Sequence, residues 1–333
     1  MATDALAVLS YYSLQPPLVR RLQPLGNAGG WSGSRLWRVW AADDRQLCLR
    51  RHPESWRAPD RLRFIHRVLQ HVHAGGLSVV PVPLVATSGA TIIQHNGYLW
   101  ELTPWMPGIA DFHSHPTRER LRSALQTLAR FHLLAVTDGV PPVDHNLAPA
   151  LIVRSVLRDI GRRADRLTSH LQPILGNELN ARAPRLLELV RARGTEIGPA
   201  VLAAVDKPWF LQPSIRDIWH DHVLFSGDEV TGIVDFGAMN VDTPLTDIAR
   251  LVGSLVADDA AARNFALDAY SEIRPLTDDD RQLIDLLDHS GTVLAGLNWL
   301  TWLYAERRDM GPIEPIIRRL HEILARLETM PVR

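Results

Sequence analysis

The spacing of apolar residues changes character near residues 103–108, and that change constrains the fold more than any other feature of the chain. Before it, short apolar runs are punctuated by turn signals, with one stretch at helical spacing; beyond it, the helical period dominates. The junction "TPWMPG", Thr103 to Gly108, holds two prolines and a glycine, which interrupt regular structure and suit a linker. The expectation is an α+β chain of two lobes: an N-terminal lobe at 1–103 built on antiparallel sheet with one helix, a hinge at 104–108, and a mainly helical C-terminal lobe at 109–333. With 333 residues the chain has room for both, since domains run roughly 100–200 residues each.

Within the first lobe, a short helical start gives way to "LGNAGGWSGSRLWRVWAADDRQLCLRRHP", where glycines cluster at Gly26, Gly29, Gly30 and Gly33 ahead of two apolar runs that meet at the turn signal "ADDR". This predicts a glycine-rich loop in a β-hairpin whose second strand is Gln46 to Arg51. Leu62, Ile65, Leu69 and Val72 then recur at helical spacing, with Asp60 placed to cap the helix and Gly75-Gly76 to end it. Strands are expected around Val82 to Thr87, Thr91 to His95 and Tyr98 to Thr103, the last two joined by an Asn96-Gly97 turn. In the second lobe, helices are expected at Arg118 to Ala135, through much of Ala150 to Val205, at Thr246 to Val256, Asp278 to Arg308 and Pro312 to Leu327. Strand-like runs interrupt them only at Phe210 to Phe236.

Composition narrows the function classes. A formal charge of −1 supplies no global basic field for nucleic acid or an anionic membrane. Lys207 is the only lysine, so a phosphate-binding cation elsewhere must be an arginine. Cys48 stands alone, which excludes an intrachain disulfide framework and a cysteine zinc cluster. The longest apolar run, near "VVPVPLVA", is far too short to cross a bilayer, and a cytoplasmic location is expected.

The stretch "SIRDIWHDHVLF", Ser214 to Phe225, concentrates ionisable groups. His220 and His222 are two apart, so on a strand both would face one side and could hold a metal. A solvated loop explains any one of these side chains equally well. Downstream, "VLFSGDEVTGIVDFGA" reads as a strand, the turn Ser226 to Glu229, and a second strand that delivers Asp235 rigidly beside the preceding loop. Asp217, His222 and Asp235 are expected to converge.

"RDIWHDHVLF…IVDFGA" resembles the kinase catalytic loop followed by a D-F-G aspartate. With "NVDTPLTDIARLVGS" after it, the chain looks like the aminoglycoside phosphotransferase and choline or homoserine kinase-like family, which has a protein-kinase-like fold. The resemblance extends over most of the sequence, through "GGWSGSRLWRV", "LCLRRHP", "ELTPWMPG" and "LARFH". It implies ATP-dependent transfer of the γ-phosphate to a hydroxyl of a small molecule, an amino alcohol, amino sugar or similar, with Mg2+ or Mn2+. Asp217 would then orient the acceptor hydroxyl and take its proton. Gly29, Gly30, Ser32, Gly33 and Ser34 would present backbone N–H groups to the phosphates, and Thr103, Trp105 and Met106 would line the adenine hinge. Arg50, with Arg51 as its rival on the opposite face of the strand, would contact phosphate. Asp235 would hold the metal, and Asp247 would brace the catalytic loop.

Three departures qualify that picture. His222 replaces the family's metal-binding asparagine, and imidazole suits manganese better than magnesium. Ile215 and Trp219 replace histidines around the catalytic aspartate, so the loop must be anchored by packing. The helix from Pro59 to His73 carries no glutamate to pair with Arg50; His66 occupies roughly that place, and Arg50 is expected to lose its orienting partner. Two alternatives follow: a nucleotide-binding pseudokinase acting as an interaction module, and a metal-dependent hydrolase using His220, Asp221 and His222. Trp299, Trp302 and Tyr304 are expected mainly as core.

Overall fold

The computed structural model describes residues 2–15, 17–26, 33–56, 59–136, 143–146, 148–171, 177–308 and 313–331. Along the chain the strands are β1 (Val19–Gly26), β2 (Arg35–Ala41), β3 (Gln46–Arg51), β4 (Ile93–His95), β5 (Tyr98–Pro104), β6 (Val143–Asn146), β7 (Trp209–Ser214), β8 (Val223–Ser226), β9 (Glu229–Ile233) and β10 (Asn240–Asp242). The helices are α1 (Ala2–Ser10), α2 (Asp60–Ala74), α3 (Arg118–Leu134), α4 (Pro149–Arg154), α5 (Ile160–Thr168), α6 (Asn177–Val205), α7 (Leu245–Val256), α8 (Ala260–Ser271), α9 (Asp278–Leu300) and α10 (Ile313–Thr329). Two compact units emerge: Met1–Thr137 with His220–Met239, and Asp138–Trp219 with Asn240–Arg333. The segment 104–108 and α3 therefore sit inside the first unit.

In the first unit an antiparallel sheet runs in the order β1-β2-β3-β5-β4. Alternation along β2 and β3 sends Trp37, Val39, Leu47 and Leu49 to one face, where they pack with Ala5, Val8 and Leu9 of α1 and with Trp100 and Leu102. The Asn96-Gly97 turn between β4 and β5 takes φ of 49° and 78°, the left-handed pair a two-residue hairpin favours. α2 buries Leu62, Ile65, His66, Val68, Leu69 and Val72 at helical spacing. Asp60 does not cap it: Pro59 holds that position, and Asp60 pairs with Arg63 inside the first turn at 2.9 Å. Val82 to Thr87 is not a strand, because Pro81 and Pro83 lack the N–H a ladder needs, although the Leu84 amide reaches the Leu102 carbonyl at 2.7 Å. β1 was not anticipated; Pro24 and two register shifts break its pattern. β8 and β9 form a separate two-stranded hairpin.

The second unit is mainly helical, with a three-stranded sheet in the order β10-β7-β6. Its core joins Leu186 and Val190 of α6, Val293, Leu297 and Leu300 of α9, and Ile316, Leu320 and Ile323 of α10. Trp299 and Tyr304 lie in that core and Trp302 packs against it. α9 opens on a capping box between Thr277 and Asp280 and ends at Leu300, short of the expected Arg308, in a π-helical turn over Thr301–Ala305. α8 had no counterpart in the sequence reading, although Asp259 caps it at the Ala262 amide, 3.0 Å away. α8, α9 and α10 meet at a buried charge cluster: Asp288 accepts from Arg263 at 2.7 Å and from Arg326 at 2.9 and 3.0 Å. Gly253 leaves room for it, since a Cβ there would lie 2.1 Å from Asp288 Oδ1. No helix among the described residues is long and apolar enough to cross a membrane.

Candidate active site

The β3–β5 register sets Arg50 directly opposite Glu101, so the two side chains leave the sheet on the same face. Arg50 Nε lies 3.7 Å from Glu101 Oε1, and its Nη1 donates to Asp235 Oδ1 at 3.1 Å. Arg51, one residue on, turns to the other face, where its guanidinium covers the Tyr98 ring at 4.2 Å. Burial works against the charge on Arg50, but Asp235 and then Glu101 overcome it and hold the guanidinium more firmly protonated than usual.

The expectation that Arg50 lacks an orienting carboxylate is thus corrected. The partner comes from β5 rather than α2. Glu101 is also clasped by His52 Nε2 on Oε1 at 3.1 Å and by His66 Nε2 on Oε2 at 2.7 Å. Burial opposes its ionisation; attraction and hydrogen bonding from His52, then His66, outweigh this and hold its carboxyl well below the usual range.

The β8–β9 hairpin delivers the other half of this group. The Val234 amide donates to the His222 carbonyl at 2.9 Å, which fixes the chain entering β8 against the chain leaving β9. His222 Nε2 consequently lies 3.9 Å from Asp235 Oδ2. Asp235 has φ of 62°, a left-handed conformation that costs a non-glycine residue about 1–3 kcal/mol and is common at functional sites. Phe236 anchors the turn by packing on Phe131, ring centroids 5.7 Å apart. Burial would raise the Asp235 carboxyl, but Arg50 first and His222 second bring it below the ordinary value.

Around this group, Gly33 has φ of 76° and Ser34 is buried. Gly29, Gly30 and Ser32 lie outside the described residues. Thr103 pairs with Cys48 across β5 and β3, and burial pushes the Cys48 thiol up to about 11. The Trp105 amide donates to the Gln46 carbonyl at 2.9 Å, and Arg38 covers its ring at 4.2 Å. Met106 is buried against Gly232, where a Cβ would come within 2.8 Å of the Met106 Cβ.

Asp217 belongs to the second unit. Its loop is held from α7 by Asp247, whose Oδ2 and Oδ1 accept from the Ile215 and Arg216 amides, each at 2.6 Å. Anchoring is therefore polar as well as apolar, with Ile215 and Ile218 fully buried. Arg216 takes φ of 67° and its Nε lies 3.1 Å from Asp242 Oδ2. Asp217 itself is half-exposed and ion-paired with Arg250, one α-helical turn beyond Asp247 on α7. The neighbourhood is cationic: burial first, then repulsion from Arg250 and from Arg216, lowers the Arg154 guanidinium to about 10 despite the attraction of Asp242.

Sequence reasoning missed Glu101, His52 and Arg250. The lone charge inside the apolar run "YLWELTP" was the available signal for Glu101. The hydrolase alternative finds little support. Among the described residues, the cluster of three side chains able to share one ion is Asp258, Asp288 and His289, not His220 to His222. Arg326 already pairs with both of its carboxylates.

Solved structures with a protein-kinase-like fold superpose on nearly the whole chain. Spectinomycin phosphotransferase APH(9)-Ia, in complex with ADP and spectinomycin, is 13% identical and covers 98% of this chain and 97% of its own, with a TM-score of 0.67. Amicoumacin kinase hAmiN, in complex with AMP-PNP and Ca2+, is 12% identical over 99% of this chain and 95% of its own, with a TM-score of 0.62. The profile of the APH phosphotransferase enzyme family matches residues 25–286, and the chain belongs to that family. Homoserine kinase of Rhizobium etli is 24% identical over 268 residues, 79% of this chain and 76% of the relative. The protein is an enzyme of the small-molecule kinase type.

Proposed function

We propose that this enzyme is an ATP-dependent kinase that transfers the γ-phosphate to a hydroxyl group of a small molecule. The observation that carries the reading is the Arg50–Asp235 ion pair with His222 beside it. Phosphoryl transfer asks the protein for positioning and charge neutralisation more than covalent chemistry, and these three side chains supply both. The ADP and AMP-PNP in the two compared structures, and the Ca2+ in one, are consistent with a nucleotide and a divalent ion.

Asp235 and His222 fit a shared divalent ion. Metal–ligand bonds of about 2.0–2.2 Å allow two donors to lie up to about 4 Å apart, and theirs are 3.9 Å apart. An ion there would neutralise phosphate charge; a nitrogen donor favours manganese over magnesium. Arg50 would grip the phosphates, residues 29–34 would cover them with backbone N–H groups, and Thr103 to Met106 would seat the adenine. Asp217 would take the proton of the acceptor hydroxyl. Its pairing with Arg250 suits an acceptor bearing an acidic group better than a polycation, which would meet Arg250 and Arg216 unfavourably. The presence of both Asp217 and Asp235 supports turnover rather than nucleotide binding alone.

A thermal-shift panel of ATP with magnesium or manganese tests the nucleotide reading. Ligand at a hundred times its Kd adds about 2.7 kcal/mol of stability by mass action, a clear rise in Tm. No shift with any nucleotide and metal would refute it. Release of ADP with a panel of hydroxy acids, amino alcohols and amino sugars then separates a kinase from a binding module.

A further inference from the structure

Glu101 is a carboxylate in the middle of β5, 8% exposed, between Trp100 and Leu102, which are 1% and 0% exposed. Burying an ion costs several kcal/mol unless its partners are well placed, so those partners indicate what the residue is for. Two histidines converge on it from different elements, His52 from the residue after β3 and His66 from α2. His66 is itself fixed through Nδ1, 2.8 Å from Thr91 Oγ1. The carboxylate is thus immobilised on the sides facing the sheet and α2, and the remaining charged neighbour on Oε1 is the Nε edge of Arg50.

Arg50 divides its planar guanidinium between two carboxylates, with Nε toward Glu101 and Nη1 on Asp235. The two contacts differ in kind. Glu101 is locked by its histidines and attracts Arg50 from 3.7 Å, whereas Asp235 takes a direct 3.1 Å hydrogen bond and is 39% exposed at its side chain. A fork with one edge tethered and the other presented can exchange Asp235 for a phosphate oxygen without losing its orientation. A lysine ammonium, a compact point charge with freely rotating donors, could touch both carboxylates but would not hold them on two fixed edges of one plane.

We propose that Glu101, clamped by His52 and His66, is the positioning residue that orients Arg50 toward the nucleotide phosphates, a task moved from α2 to the sheet because His66 fills the helix position. The proposal rests on the reading of Arg50 as the phosphate-binding cation. It explains together why the strand cation is an arginine, why a charge interrupts the apolar run of β5, and why two buried histidines face it.

The test is calorimetric titration of the full chain with AMP-PNP plus Mn2+ and, separately, with adenosine, which lacks phosphate. Glu101→Gln should weaken AMP-PNP about tenfold, the order of a coupling between residues in contact, and leave adenosine unchanged. In an Arg50→Ala background the same change should add nothing. If Arg50→Ala alone leaves AMP-PNP binding intact, the phosphate-cation reading fails and the proposal with it. If Arg50→Ala weakens AMP-PNP while Glu101→Gln does not, or if Glu101→Gln weakens adenosine equally or acts additively with Arg50→Ala, the positioning role is overturned and the phosphate-cation reading stands. Should Glu101→Gln fail to fold, His66→Ala carries the test. It should weaken AMP-PNP selectively, with recovery in His66→Gln, which restores a donor to the carboxylate; unchanged affinity in His66→Ala overturns the proposal.

Discussion

Replacing Asp247 by alanine should remove about 3–6 kcal/mol of stability, because each of its two hydrogen bonds joins a backbone amide, that of Ile215 buried and that of Arg216 part-buried, to a charged acceptor, and such bonds contribute about 1.5–3 kcal/mol apiece. Asp247 is fully buried, and its loss leaves the Ile215 amide without its acceptor in the interior. Arg216 is held at a positive φ that an unsupported loop would abandon. Urea unfolding reads the loss directly: with a slope of about 1–3 kcal/mol per molar, the midpoint should fall by at least about 1 M at constant slope. Domains hold only about 5–15 kcal/mol in total, so Asp247→Asn, which keeps one acceptor oxygen, serves as the milder probe and should lose about 1–3 kcal/mol. In that variant kcat should fall further than nucleotide affinity, since the disturbed amides immediately precede Asp217. A midpoint shift below about 0.3 M for Asp247→Ala would refute the brace.

Gly253→Ala should destabilise by about 1–3 kcal/mol through overpacking, because its Cβ would collide with Asp288 in the middle of the arginine cluster; an unchanged urea midpoint would show that the cluster yields. Asp217→Asn should lower kcat about 10²–10⁴-fold, the usual contribution of a positioned base, with nucleotide affinity nearly constant in titrations. His222→Asn should move the metal preference of turnover from manganese toward magnesium; an unaltered metal profile would remove His222 from the ligand set. Glu101 has a depressed carboxyl, so its contribution to stability is complete above the ordinary glutamate value of 4.5 and is lost as pH falls through its lower folded value. The acid limb of unfolding should therefore be shallower in Glu101→Gln than in the wild type.

The parts of the fold legible in sequence were those whose signal is local. β3 is bounded by a turn and ends in paired arginines, the helical spacing over Arg118 to Ala135 is kept by α3, and the β8–β9 hairpin announces itself by Ser226 to Glu229 and the D-F-G that follows. Asp247 was legible as a brace only through the family resemblance of "NVDTPLTDIARLVGS". What escaped depends on register or on partners far away in sequence. Arg50 and Glu101 meet only because β3 pairs with β5 in one register, and a search confined to α2 for the missing carboxylate could not find it. Prolines misled in both directions: Pro24 hid β1, while the apolar residues around Pro81 and Pro83 suggested a strand that cannot form its ladder.

Because Arg50 and its neighbours contain no primary amine, the proposed nucleotide region offers no amine to acylating chemistry. Activity probes built as acyl phosphates of nucleotides report kinases by modifying the lysine beside the phosphates, and inhibitors that form an imine or amide there rely on the same nitrogen. A guanidinium, protonated at every accessible pH, reacts with neither. If Arg50 is the phosphate-binding cation, reagents of this kind would find no lysine to modify beside the phosphates. The same scarcity has a use: Lys207, exposed just after α6, is the single lysine side chain of the chain, so an amine-reactive fluorophore or tether has only this side chain and the chain's α-amino group to attach to and would spare Arg50.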